Sequence, residues 1–382
     1  MRAFGCFIHV ASDLSSASVL AVSLALVLVS SPCHALGAAD SAPPLPGSIR
    51  TDAASITYFA RAGDTLTSIA RQFTDKSSNW IALGKLNRID RQSAIPIGTT
   101  ILIPGELLGD TPSKATVVAM TGSITAHTAD GARTRLSVGA TVLEGTQIDT
   151  GANSFLTLAL PDESRISVPS NTSVRLAKLR SSRYLNSPRT QVTLLRGRVE
   201  SRVTPLEANR GRYEVQTPLS IAGVRGTHFR VGVIGDGRTA RVATETLDGK
   251  VAVNTGSSTN TSDKLILTTG RGNITDAGTV GPARDLLPAP RLSGASAGGF
   301  AEFPANRINL VGLAGAAAYH LQIATDAKAT DLVAETRSAT TTLAIDGVAD
   351  GNYHGAARLA HIGTGAGVTG LGAGLAKRPR AA

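Results

Sequence analysis

Two different periodicities divide the chain. Between Tyr58 and Pro104, apolar residues first recur at helical spacing. Leu66, Ile69, Ala70 and Phe73 stand at i, i+3, i+4 and i+7, which predicts a short amphipathic helix with one buried stripe. Gly63 permits a tight turn before it, and Asp64 is placed to cap it. A second helical stretch runs from Asn79 to Asn87 with Trp80, Leu83 and Leu86. The segment Ile95 to Pro104 then reads as a loop and a strand that the proline ends. The predicted order is strand, helix, helix, strand, enough chain for one small core.

From Ala115 to about Ala277 the period becomes two. Thr116–Met120, Phe155–Leu160, Gln191–Leu195 and Lys264–Leu267 read as strands, with turns at Asp130-Gly131, Pro161-Asp162, Asp236-Gly237 and Asp248-Gly249. This predicts an all-β domain over 115–280, either a sandwich or a short solenoid. Pro-, Ala-, Gly- and Ser-rich stretches read as linkers at 36–54, at Leu108–Ser113 and at 281–302. Ala317–Asp326, Asp331–Glu335 and Ile345–Tyr353 again alternate, predicting a partial β-sandwich over 303–355. The remainder, 356–382, is Gly/Ala-rich and basic, so the last strands of such a module are expected to be missing.

At the other end, Val19–Val29 is apolar apart from Ser23, too short to span a bilayer. Arg2 precedes it and small residues precede a cleavage point after Ala35, the pattern of a secretory signal peptide over 1–35. Both cysteines, Cys6 and Cys33, fall inside it, and Pro32 is wrong for a lipidation site. The expected mature chain therefore has no disulfide and no thiol nucleophile.

Charge changes the picture in one region. The formal net charge is +10, and ten bases face only Glu200 and Glu207 between Asn171 and Arg212. An anionic partner is one implication; a solvated sheet face is the other. Nucleic acid is not expected, because Tyr184 is the only aromatic residue there.

The GDTL turn at Gly63–Leu66, IARQF, LNRI and IPIGTTILIP, in this order, resemble the LysM module. The resemblance implies a small α+β fold over 55–106 that binds N-acetylglucosamine glycans such as peptidoglycan in a shallow groove. It places the groove between Gly63, Asp64, Thr65 and Leu66 on one side and Ala94, Ile95, Pro96, Ile97 and Gly98 on the other. Asp64 is read equally as a helix cap. Downstream, Gly223-Val224-Arg225-Gly226-Thr227, followed by Phe229, resembles the signature of the FecR domain. Ile148–Ser154 and Leu247–Val251 fit the same family, while Glu163 stands where it usually carries a turn glycine. We read the signature as structural: Gly223 and Gly226 for close backbone approach, Arg225 for a fixed hydrogen bond. The residues after the third linker resemble a fibronectin type III-like module, degenerate at its end.

Enzymatic constellations are not expected. The histidines after the leader are isolated in sequence, and Gly294–Gly298 and Gly365–Gly370 match a nucleophile elbow and a dinucleotide loop only formally. No metal and no cofactor are called for. The expected protein is a non-enzymatic, wall-associated periplasmic protein in which a LysM anchor holds a FecR-like domain. The alternative is a signalling component whose FecR-like domain binds a receptor or regulator.

Overall fold

The computed structural model describes residues 44–90, 95–205, 211–256, 264–276, 279–291, 293, 301–302, 307–326, 331–344, 351–360 and 369–377. The expected leader, with both cysteines, and Ala94 lie outside the described residues. Among them, no helix is long and apolar enough to cross a membrane.

The first module is a three-stranded antiparallel sheet with two helices packed on it. Its strands are β1 (Ile49–Thr51), β2 (Ser55–Phe59) and β3 (Thr100–Pro104), with β2 in the centre. Helices α1 (Leu66–Phe73) and α2 (Trp80–Asn87) form where the pattern places them. The predicted stripe is fully buried against Ile56, Tyr58, Leu83, Ile101 and Ile103. Strand β1 was expected as linker. It is exposed along its length and held by backbone pairing alone, Ile49 opposite Tyr58, so it carries no hydrophobic signature.

The β region consists of two facing sheets. One contains Ile124–His127, Gln147–Thr150, Ser173–Ser182, Arg212–Gln216, Ile221–Val224, Lys250–Asn254 and Leu265–Thr268. The other contains Lys114–Thr121, Phe155–Ala159, Arg165–Val168, His228–Ile234, Arg241–Asp248 and Arg271–Asp276. The long strand Ser187–Arg202 belongs to both. Up to Arg196 it pairs in the first sheet, and from Gly197 in the second. Gly197 makes this crossing at φ +84°, where a Cβ would fall 2.5 Å from the Thr172 hydroxyl. Leu158, Ile166, Val199, Phe229 and Val231 of one sheet meet Val174, Val192, Leu194, Val215 and Val253 of the other to form the core. Of the two architectures left open by the sequence, this is a sandwich, although successive hairpins alternate between its sheets. Among the described strands, neither sheet closes on itself.

Two predicted linkers are corrected. Leu108 is buried in the core of the first module, and Asp110–Pro112 pairs with Arg180–Ser182 of the sandwich. The hairpin that follows reaches back: Leu185 joins the same core and the Tyr184 ring packs 5.5 Å from that of Phe73. Further on, Arg284–Asp285 extends the second sheet through Arg271 and Gly272.

Strands Ala318–Ala324 and Leu332–Ser338 pair antiparallel, and the first is buried throughout. Tyr319, Leu321 and Ile323 pack on Ile308, Leu310 and Leu343. Its opposite face lies on the outer face of the second sheet. Contrary to expectation, the backbone continues as strands over Gly351–Ala360 and Thr369–Lys377. A fully buried strand needs a hydrogen-bonding partner on each edge, and backbone pairing requires no apolar pattern.

Candidate functional site

The two loops flanking the expected groove are joined by three backbone hydrogen bonds. Ala60 N–H donates to Thr99 O at 2.9 Å, Gly98 N–H to Ala60 O at 2.7 Å, and Ile95 N–H to Asp64 O at 2.9 Å. Gly63 and Gly98 make their turns at φ +82° and +79°, conformations costly for other residues. The sequence therefore brings Gly63–Leu66 and Ile95–Gly98 to one place.

The eight described residues of the nine named divide. Gly63, Pro96, Ile97 and Gly98 face solvent, Ile97 with 63% of its surface. Leu66 and Ile95 are core residues. Asp64 is 4% exposed; its carboxylate accepts from the Tyr58 hydroxyl at 2.6 Å and from Arg61 N–H at 2.9 Å. Burial, reinforced by this carboxylate, pushes the Tyr58 phenol up to about 12. Asp64 is thus neither helix cap nor outward contact. Its side chain fixes the loop from within while its carbonyl holds the facing loop.

The cap is Thr65. Its hydroxyl accepts Ser68 N–H at 3.0 Å and its own N–H donates to the Ser68 hydroxyl at 2.9 Å, a reciprocal capping box. Tyr58 went unnoticed as part of the site, because its contact with Asp64 depends on β2 lying beneath the loop. The resulting face offers loop amides and an apolar knob, with the nearby carboxylate already occupied. Such a face can meet a neutral, amide-bearing group through backbone hydrogen bonds and apolar contact.

The second candidate, Gly223–Phe229, is a corner taking the chain from Ile221–Val224 in one sheet to His228–Ile234 in the other. Gly226 lies at φ +74°, and a Cβ there would come 2.5 Å from Pro205 Cα. Val224 is buried, and Thr227 is buried with its hydroxyl donating to Lys250 O at 2.9 Å. Phe229 is fully buried, edge-on to Tyr213 at 6.0 Å. Arg225 sits on the exposed side of the corner. Gly223 departs from expectation: a Cβ there would meet only a Glu214 oxygen at 4.0 Å, so no close approach requires it.

The basic region finds its anions within the chain. Arg180 holds Glu144 at 2.7 Å, and this hydrogen bond keeps the Glu144 carboxyl below its ordinary range. Lys178 and Arg189 both hold Asp110, at 3.0 and 2.8 Å. Arg183 pairs with Asp75, Arg212 with Glu214 and Arg198 with Glu335. Most of the local excess is therefore structural.

Comparison with known proteins finds a family model on each of the two domains. The LysM domain model matches residues 60–104, and the FecR protein model matches 146–252. No curated protein matches the chain. Two crystal structures of a candidate anti-sigma factor from Parabacteroides distasonis ATCC 8503, at 1.65 and 2.50 Å resolution, are similar in part. Each is 17% identical, covering 36% of this chain and 59% of its own, with a TM-score of 0.29. The chain thus spans less than two thirds of those structures. It carries a LysM domain followed by a FecR domain, both envelope-associated domain families of non-catalytic, binding or regulatory kind.

Proposed function

We propose that this protein is a non-enzymatic, wall-associated protein of the periplasm, exported by a cleaved leader over 1–35. In this reading the LysM domain anchors it to peptidoglycan or another N-acetylglucosamine glycan and so places the FecR domain at the wall. The observation that carries the reading is the pair of loops tied at Asp64 and Ile95, which leaves Gly63, Pro96, Ile97 and Gly98 outward in a LysM domain. N-acetyl amides would meet the loop backbone, and the sugar's CH face would pack on Ile97. Pairing of the basic residues argues against adhesion by charge alone. A second reading draws on the FecR match: that domain binds an envelope receptor or regulator, and LysM localises it.

The test is co-sedimentation of the full chain with purified peptidoglycan at physiological and at about 0.5 M salt, where charge attraction is screened within a few ångströms. Wild type should pellet at both. Ile97→Arg, on an exposed loop, should weaken pelleting roughly tenfold, about 1.4 kcal/mol, with an unchanged melting curve. Equal pelleting of the two proteins would remove the groove from the argument. Loss of wild-type pelleting at high salt would replace glycan recognition by charge.

A further inference from the structure

A cavity of about 510 Å³ lies between the outer face of the second sheet and strand Leu332–Ser338. Its position is unrelated to the LysM loops, and its walls carry an unusual density of charge. Glu335, its side chain 5% exposed, is held by Arg198 at 2.9 Å, and the His320 Nε2 lies 2.8 Å from it. Arg230 pairs with Glu245 at 2.5 Å. Glu200 accepts from Gln322 at 2.8 Å and contacts His228 at 2.6 Å. Each carboxylate on the wall therefore already has a donor.

The guanidinium of Arg337 lines the same space, and no hydrogen bond or ion pair joins it to another described residue. Arg337 is exposed to solvent; its partial burial in the cavity wall, together with the charges of Arg198 and Arg230, pushes its pKa below the ordinary arginine value. The guanidinium charges of Arg198 and Arg230 disfavour a third cation beside them, and an anion seated on Arg337 would offset that repulsion. Apolar surface from Ile234, Ala243 and Pro169 completes the lining. Gly232 contributes by omission: a Cβ there would press to 3.1 Å on the Arg198 stem, which lies across the cavity floor on its way to Glu335.

We infer that this cavity binds a small organic carboxylate with an apolar body, its carboxylate seated on Arg337. The planar guanidinium matches a carboxylate in two parallel hydrogen bonds. A single negative charge fits Arg337, which pairs with no other described residue of the lining, whereas a phosphate dianion would meet greater repulsion from Glu200, Glu245 and Glu335. The volume lies within the range of small-molecule sites.

Isothermal titration calorimetry on the full chain tests this, with N-acetyl-leucine, N-acetyl-leucinamide and phenyl phosphate as probes. The acid should bind saturably, and the amide and the phosphate at least roughly tenfold more weakly. Arg337→Gln should lose about tenfold in affinity for the acid with an unchanged melting temperature, while Arg175→Gln, outside the cavity, should bind as wild type. The inference is overturned if the acid shows no saturable binding. It is equally overturned if amide or phosphate binds as well as the acid, or if Arg337→Gln binds unchanged.

Discussion

The sandwich makes two seams, one with the LysM domain and one with strands Ala318–Ala324 and Leu332–Ser338, and they are built on opposite principles. The first is apolar at its centre: Leu108 and Leu185 share the LysM core, and Tyr184 lies on Phe73. Charge enters it at Asp110, whose side chain is 9% exposed and paired with Lys178 and Arg189, and at its margin. The second buries charge at its centre, with Glu200, Glu335, His320 and Gln322 all nearly inaccessible. Its apolar contact is a small cluster of Phe155, Ala324 and Leu332. Apolar seams are indifferent to pH and forgiving of side-chain adjustment. Buried ionic seams are intolerant of losing one partner, because the other charge is then stranded.

The largest effect should therefore come from the second seam. Glu335→Ala strands Arg198 and leaves His320 facing it without a carboxylate. Breaking a buried pair from one side costs about 3–5 kcal/mol, and the lower end applies here because Arg198 keeps 32% of its side chain exposed. Urea unfolding should show that loss, and limited proteolysis should begin within 318–344. A variant as stable as wild type would mean that the ionic centre contributes nothing.

The first seam should respond next. Leu185→Ala removes a side chain that is 7% exposed from the LysM core, a loss of about 2 kcal/mol at the lower end of the core range. Trp80, partly buried against that core and the chain's single tryptophan, reports it by fluorescence. By the same contacts, residues 44–106 alone should melt below the LysM domain of the full chain, since that fragment keeps β1 but lacks both Leu108 and Leu185. Equal melting of fragment and domain would restore the reading of 108–113 as a passive linker.

These contrasts also explain what the sequence could reveal. The LysM helices were legible because Leu66, Ile69, Ala70 and Phe73 bury one stripe, a purely local signal. Leu108–Ser113 was misread because its partners, Phe73 and Arg180–Ser182, are distant in sequence. The basic region left an anionic partner open for the same reason: a charge count over a window cannot see Glu144, Asp110 or Glu335. In the candidate groove, the LysM resemblance named two loops that the fold brings together, but not which of their residues point outward. That depends on the Tyr58 hydroxyl beneath Asp64. Glu163 is the reverse case, since the departure from a family glycine was visible in sequence and the residue does adopt φ +66°. Gly226, at φ +74° against Pro205, shows the same requirement met by the usual residue.

Acid should separate the seams without mutation. Burial lowers the pKa of His320, only partly offset by Glu335. The unfolded chain therefore takes up a proton before the folded one does, and stability is lost as pH falls below about 6.5. For Glu335, burial raises the pKa, but His320 and Arg198 outweigh it and hold the carboxyl below its ordinary range. That contribution is present above about 4.5 and is lost as pH falls through the lowered value. Both signs agree. Hydrogen exchange between about pH 7 and 5.5 should show strand 318–324 losing protection while α1 keeps it. Parallel loss in both would make the seams alike.

The smallest effect should come from the margin of the first seam, where Arg183 pairs with Asp75. The two side chains are 33% and 53% exposed, so water screens their attraction, and pairs of this kind contribute about 0.2–1 kcal/mol. Asp75 also accepts the Asp110 N–H at 2.9 Å, and that bond survives when Arg183 is removed. Arg183→Ala should therefore cost no more than a few tenths of a kcal/mol beyond its lost packing on Gly109, and the charge contribution should vanish at about 1 M salt, where screening acts within roughly 3 Å. Leu185→Ala should keep its full cost in the same salt, because burial of apolar surface does not depend on charge. Chemical denaturation with urea, which leaves ionic strength unchanged, measures both variants at low and high salt. If Arg183→Ala matches Leu185→Ala at low salt and recovers at high salt, the seam is held by its ionic rim rather than by the leucine beneath it.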